Sequence, residues 1–181
     1  MRTALLVAAF VLCTSTHAAE LGDVYVQRDA CPFEGCTFGE WPVRKLSIVY
    51  GEPSLSSKPV GTLESGSKVR VVTGDLYVVP GVAEIVGKPY RATKDLDPKS
   101  VVYLLDPVGE GQRRVYQNGS FFVTKVAASN SECEQDNDSR RCWVKVLKEP
   151  KVSWWVRVQL PIGTGWVLVE NGNLVPTDSL A

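Results

Sequence analysis

Histidine is nearly absent from this chain: the only one is His17, close to the amino terminus. Residues 1–18 begin with Met-Arg, continue with a short apolar run and end in small residues, which is typical of a secretory signal peptide. The apolar run is too short to span a bilayer. We therefore expect a cleaved signal and an exported protein without imidazole, which removes the general base of most hydrolases.

Neither sign of charge is in excess, because the chain contains 20 Lys and Arg and 20 Asp and Glu. Loss of Arg2 with the signal changes the formal net charge from +0 to −1. A nucleic-acid interface needs clustered basic residues, and an anionic membrane surface attracts polybasic runs. The sequence has neither feature, so we expect no nucleic-acid partner and no stable membrane insertion.

Unpaired cysteine is also not expected. Cys13 lies within the signal, and an even set of cysteines in an exported chain is typical of disulfide bonds. The remaining set is Cys31, Cys36, Cys133 and Cys142. Three pairings are possible, and we favour Cys31–Cys36 with Cys133–Cys142 because each bond closes a short polar loop. The spacings fit neither a zinc site nor a two-residue redox motif.

Long segments with helical periodicity are missing. Short apolar segments separated by turn signals follow residue 40 instead, which predicts an all-β protein. Residues 68–72 alternate apolar and polar side chains, and an Asn-Gly pair divides residues 115–123 into a hairpin. Residues 154–160 and 166–169 form a second pair of strands around a Gly-rich turn.

Two segments carry related motifs. Residues 43–73 contain an apolar strand ending at Tyr50, then Val-Gly-Thr-Leu at 60–63 and Gly-Ser-Lys-Val at 66–69. Residues 154–167 contain a Trp-rich strand, a Gly turn and Gly-Trp-Val. Together they resemble the two halves of a bacterial SH3-like domain, and the whole chain is similar to exported SH3-like proteins without an assigned role. The resemblance implies small β-barrels and a binding function.

The two halves of this motif lie about 80 residues apart. Either two SH3-like barrels stand in tandem, or one barrel carries a large insertion. We favour the tandem because the strand count exceeds what one small barrel holds. The expected division is a signal at 1–18, a disulfide-closed segment at 19–40, a first barrel at 41–86, a linker at 87–98, a second barrel at 99–176 and a tail at 177–181.

Strand alternation assigns faces to the tryptophans. Period two along residues 154–160 places Trp154 in the core and Trp155 on the outer face with Arg157. The same reasoning places Trp143 beside Lys145 on an outer face, while Val144 and Val146 point inward. Exposed Trp beside Arg or Lys suits contact with a peptide or a sugar. The predicted ligand contacts are Tyr50, Trp143, Trp155 and Arg157; the alternative is that a neighbouring barrel or sheet covers these rings.

No residue set in the sequence favours catalysis. Ser-Lys pairs at 57–58 and 67–68 lie in predicted turns, where nothing desolvates the lysine. The acidic residues at 95, 97 and 132–138 lie in polar loops, and they lack the pattern of a calcium loop. We expect no enzyme activity, no metal and no cofactor.

The predicted function is therefore that of an exported binding module, periplasmic or secreted, which contacts cell-wall peptide, peptidoglycan or another envelope protein. The alternative is an inhibitor or assembly partner of an exported enzyme that acts through the loop at 130–141. SH3-like folds serve many functions, so the ligand class follows from resemblance alone.

Overall fold

The computed structural model describes residues 21–33, 35–88, 96, 99–109, 111–127, 130–135 and 141–178. The protein is nearly all β, as predicted, and the described residues contain a single short helix. The elements are β1 (Tyr25–Gln27), β2 (Cys36–Thr37), β3 (Gly39–Pro42), β4 (Ser47–Tyr50), β5 (Pro59–Leu63), β6 (Lys68–Val79), β7 (Gly81–Ile85), β8 (Val101–Gly109), β9 (Gln112–Gln117), β10 (Ser120–Lys125), α1 (Asn130–Gln135), β11 (Val144–Lys148), β12 (Lys151–Gln159), β13 (Thr164–Val169) and β14 (Thr177–Asp178).

The strands form two main antiparallel sheets. The first sheet has the order β1-β6-β12-β13-β4-β5, and β3 also pairs with β6. The second sheet has the order β10-β9-β8-β7-β11. A small third sheet joins β14 to β2 near the carboxyl end of the described chain.

The chain leaves the first sheet after β6, builds the second sheet and then returns. On its return, β12 pairs with β6 from Lys151↔Val79 to Val158↔Val71, and β13 pairs with both β12 and β4. This pairing joins strands from both expected divisions, 41–86 and 99–176, in one sheet. The physical reason is the length of β6, whose 12 residues carry β3 and β1 on one edge and β12 on the other.

The inner face of the first sheet surrounds one apolar cluster. Six strands supply buried side chains to it, which include Trp41, Val49, Val71 and Val167. Val156 and Val158 lie in the same cluster, and Trp154 packs against it. The inward direction predicted for the even positions of residues 154–160 is therefore confirmed. Because side chains from all these strands meet, the sheet curves around its core.

The second sheet has its own core on one face. Ala83, Ile85, Val102 and Val115 are buried there, together with Trp143 and Val144. The β9–β10 connection is the predicted Asn-Gly hairpin, with φ of 47° at Asn118 and 77° at Gly119. Positive φ at both turn residues matches the right-handed twist of the flanking strands.

The opposite face of the second sheet packs against the first. Leu76 and Val78 of β6 form a buried cluster with Leu105 and Tyr116 of the second sheet. Asp106 is buried at this junction, where its Oδ1 accepts a hydrogen bond of 3.1 Å from Arg114 Nε. The contacts between the sheets are thus mainly apolar, and the Arg114–Asp106 ion pair lies within the second sheet beside them.

Both predicted disulfides are confirmed, Cys31–Cys36 and Cys133–Cys142. Two disulfides indicate an oxidising, extracellular environment. Among the described residues, no helix has the length and apolar character needed to cross a membrane. The predicted signal at 1–18, most of the linker at 87–98, the tip of the 130–141 loop and the last residues of the tail lie outside the described residues.

Candidate functional site

The outer face of the first sheet carries a band of aromatic and apolar side chains. Residues directly opposite each other in an antiparallel ladder share a face. Tyr50 of β4 pairs with Trp166 of β13, and Trp166 pairs with Arg157 of β12. One step along the ladder, Trp155 of β12 pairs with Leu168 on one side and with Asp75 of β6 on the other.

Trp155 lies on this outer face, as the alternation predicted, but its predicted exposure is wrong. The residue is 4% exposed, because Tyr50 packs edge-on against its ring at a centroid distance of 5.8 Å. The loop that follows β4 stands beside the same ring. Trp155 therefore forms an apolar floor of the outer face rather than a projecting side chain.

The loop at residues 51–58 forms a ridge across the outer face, here called the Leu55 ridge. Hydrogen bonds within the loop hold its shape: Gly51 N–H donates to the carbonyl of Lys58 at 3.0 Å, and Ser57 N–H donates to the carbonyl of Ser54 at 3.0 Å. The Ser57 hydroxyl also accepts from Glu52 N–H. Leu55 is 65% exposed at the top of this ridge. Leu55 lies beside the exposed apolar side chains of Val24 and Val152, and an exposed apolar patch of this kind is typical of an interaction site.

Two grooves lie on either side of the Leu55 ridge, and Leu55 lines both. The large groove has a volume of about 540 Å³ and is lined mainly by apolar atoms, with Trp155 and Tyr77 among its walls. The small groove has a volume of about 250 Å³ and includes Tyr50 and Leu168. Together the ridge and the grooves form the candidate binding surface.

A polar network supports the large groove from the β6 side. Asp75 is buried beside Trp155, and its carboxylate accepts hydrogen bonds from the guanidinium of Arg28 and from Asp29 N–H. Arg28 also donates to the hydroxyl of Tyr77 at 3.3 Å. The hydrogen bond to Asp75 raises the pKa of Arg28 above its ordinary value. This network ties the segment after β1 to β6 and orients Tyr77.

The four predicted contacts do not converge on one site. Tyr50 and Trp155 touch each other on the candidate surface. Arg157 shares the outer face, but it lies outside both grooves, and its Nε donates to Thr164 Oγ1 at 2.9 Å.

The prediction that Trp143 is exposed is wrong. Trp143 is fully buried in the core of the second sheet, and its Nε1–H donates to the carbonyl of Lys125 at 2.8 Å. It immediately precedes β11, so strand alternation does not extend to it. Val144 and Val146 do point toward the core, as expected.

Sequence reasoning missed three of the residues that define the grooves: Leu55, Tyr77 and Lys151. Leu55 and Lys151 lie in segments that the sequence marks as turns, and Tyr77 lies in a strand with no polar alternation. The hydrophobicity of Leu55 within a run of serines was the one available signal.

Two further grooves lie at the junction of the sheets. One, of about 470 Å³, is lined by residues that include Leu21 and Tyr103, and the other, of about 530 Å³, includes Phe33 and Asp106. Neither contains any of the predicted contacts, so the outer face of the first sheet remains the candidate surface.

Comparison with protein-family models, with curated proteins and with solved structures found no match. Within the part of the chain that the structure describes, no three His, Cys, Asp or Glu side chains are grouped as metal ligands. The chemistry that the outer face offers is apolar contact beside a few hydroxyl and charged groups.

Proposed function

We propose that this protein is an exported, non-enzymatic binding module, periplasmic or secreted, whose candidate surface holds a peptide segment of the cell wall or of an envelope protein. The observation that carries the proposal is the Leu55 ridge, an exposed leucine between two grooves with aromatic floors. Adjacent grooves separated by a ridge accept side chains that project from one extended chain.

Contacts within the protein hold the aromatic side chains of the floor in place before a ligand arrives. Tyr50 and Trp155 are fixed by their mutual contact, and Tyr77 is held by Arg28. Aromatic side chains that are already immobilised lose little conformational entropy when a ligand arrives. The SH3-like resemblance of the sequence and the two disulfides support an envelope ligand for such a surface.

The test compares two exposed aliphatic side chains, Leu55 and Ile162. Leu55→Ser removes the ridge contact, whereas Ile162→Ser changes a 93% exposed residue in the β12–β13 turn, outside both grooves. Neither change removes a buried contact, so both variants should fold normally. In a sedimentation assay on purified cell wall at moderate salt, Leu55→Ser should be retained several-fold less than the native protein and Ile162→Ser equally well. Equal retention of all three proteins would refute the assignment of this surface.

A further inference from the structure

The large groove differs from the small one in its charge. Lys151 is the only charged residue that lines the large groove among the described residues. The ion pairs of the described residues do not involve it. In the small groove, by contrast, Lys45 Nζ donates to the carbonyl of Asn171 at 2.6 Å, and Glu170 stands beside it. The large groove thus combines an apolar floor with one uncompensated cation.

The large groove also runs along an open strand edge. β12 begins at Lys151, but its pairing with β13 begins only at Trp154↔Val169. No strand of the described residues continues β13 beside Lys151, Val152 and Ser153, all of which line the groove. Alternate residues of a strand direct their N–H and C=O groups to opposite edges, so at least one of these three directs its backbone groups to the unpaired edge of β12.

Resting on the proposed function, we propose that the large groove binds an extended peptide that pairs with β12 at residues 151–153, inserts an apolar side chain between Leu55 and Trp155, and places a carboxylate on Lys151. Backbone pairing at a free edge supplies affinity, and the pocket beside it supplies side-chain selectivity. Lys151 lines an otherwise apolar groove, and a lysine stem packs against apolar surface while its ammonium reaches a polar partner. Ligands without a carboxylate lose this last contact.

The experiment uses three acetylated tetrapeptides that share their apolar residues and differ only in the presence and position of a carboxylate. One has a free carboxyl terminus, one has a terminal amide, and one has a terminal amide with an internal Glu. Dissociation constants are measured by NMR titration of the native protein at low salt. A peptide with a carboxylate should bind about fivefold more tightly than the plain amide, the equivalent of about 1 kcal/mol for a partly exposed ion pair. The peptide that binds more tightly shows whether the bound carboxylate is the carboxyl terminus or an internal side chain.

Two charge variants separate the lysine from general electrostatics. Lys151→Gln should abolish the preference for the carboxylate. Lys151 pairs with Val79 at one end of β6, and Lys68 lies at the other end, about 36 Å away along that strand. Lys68→Gln removes the same charge there and should leave the preference for the carboxylate intact. The preference of the native protein should also fall as salt is raised.

The outcomes distinguish this inference from the proposed function. Equal binding of all three peptides, or a preference that survives Lys151→Gln, would overturn the carboxylate contact while peptide binding stands. Failure of every peptide to bind, with cell-wall retention still dependent on Leu55, would overturn the groove assignment alone. Failure of the peptides together with retention independent of Leu55 would overturn both.

Discussion

Trp143 offers the sharpest test of the structure, because strand alternation predicted an exposed side chain and the structure buries it. Its side chain is fully buried among Ile85, Val102 and Val115, and its indole N–H satisfies the carbonyl of Lys125. Trp143→Ala should therefore lower the free energy of unfolding by about 3–5 kcal/mol, since a large cavity replaces the ring. Trp143→Phe keeps a ring but removes the indole N–H that donates to this carbonyl, and the loss of that hydrogen bond should cost about 1 kcal/mol.

The measurement is urea denaturation followed by far-ultraviolet circular dichroism, so that the loss of one fluorophore does not affect the signal. The control is Trp166→Ala on the outer face. Trp166 is only partly buried, so its loss should cost about 1–2 kcal/mol. If Trp143→Ala lost under 1 kcal/mol while cell-wall retention fell, the burial argument would be refuted and Trp143 would return as a ligand contact.

Three further predictions concern the framework. Gly165→Ala should destabilise the protein by about 1–3 kcal/mol because its Cβ would lie 2.9 Å from a β4 carbonyl oxygen, while Gly61→Ala, with its nearest atom at 3.5 Å, should be tolerated in the same thermal melt. Replacing both Cys133 and Cys142 by Ser should cost about 2.6 kcal/mol by the chain-entropy relation for a separation of 9 residues, measurable by urea titration. Desolvation raises the pKa of Tyr25 above its ordinary value of 10.0. Its contribution to the free energy of unfolding is therefore complete below pH 10 and is lost as the pH rises through the raised pKa. Between pH 9 and 11, the melting temperature of Tyr25→Phe should fall less than that of the native protein.

Local patterns predicted those features that depend on neighbouring residues alone. The faces of Trp154, Val156 and Val158 followed from strand alternation, because one side of β12 covers a continuous core. The hairpin at Asn118-Gly119 followed from the conformations that these two residues favour. The disulfide pairing was favoured among three possibilities because each of the two bonds closes a short polar loop.

Local sequence patterns could not predict features that depend on residues far apart in the chain. Trp155 is buried by Tyr50 and by the ridge after β4, which lie far from it in sequence. Trp143 is buried in the apolar cluster of the second sheet, and Val86 and Gly87, far from it in sequence, donate their N–H groups to its carbonyl. The pairing of β12 with β6 likewise joins segments that are far apart in sequence. Alternation assigns a side chain to a face, but it does not reveal what covers that face.

The claim that the outer face of the first sheet binds peptide is tested most directly by NMR mapping with the soluble peptide fraction released from purified cell wall. We expect the largest amide shifts at Leu55 and at residues 151–153, together with a shift of the Trp155 indole signal. Peptide-free glycan strands should leave these signals in place. Shifts confined to the second sheet or to the loop at 130–141 would contradict the account and favour an inhibitor that acts through that loop.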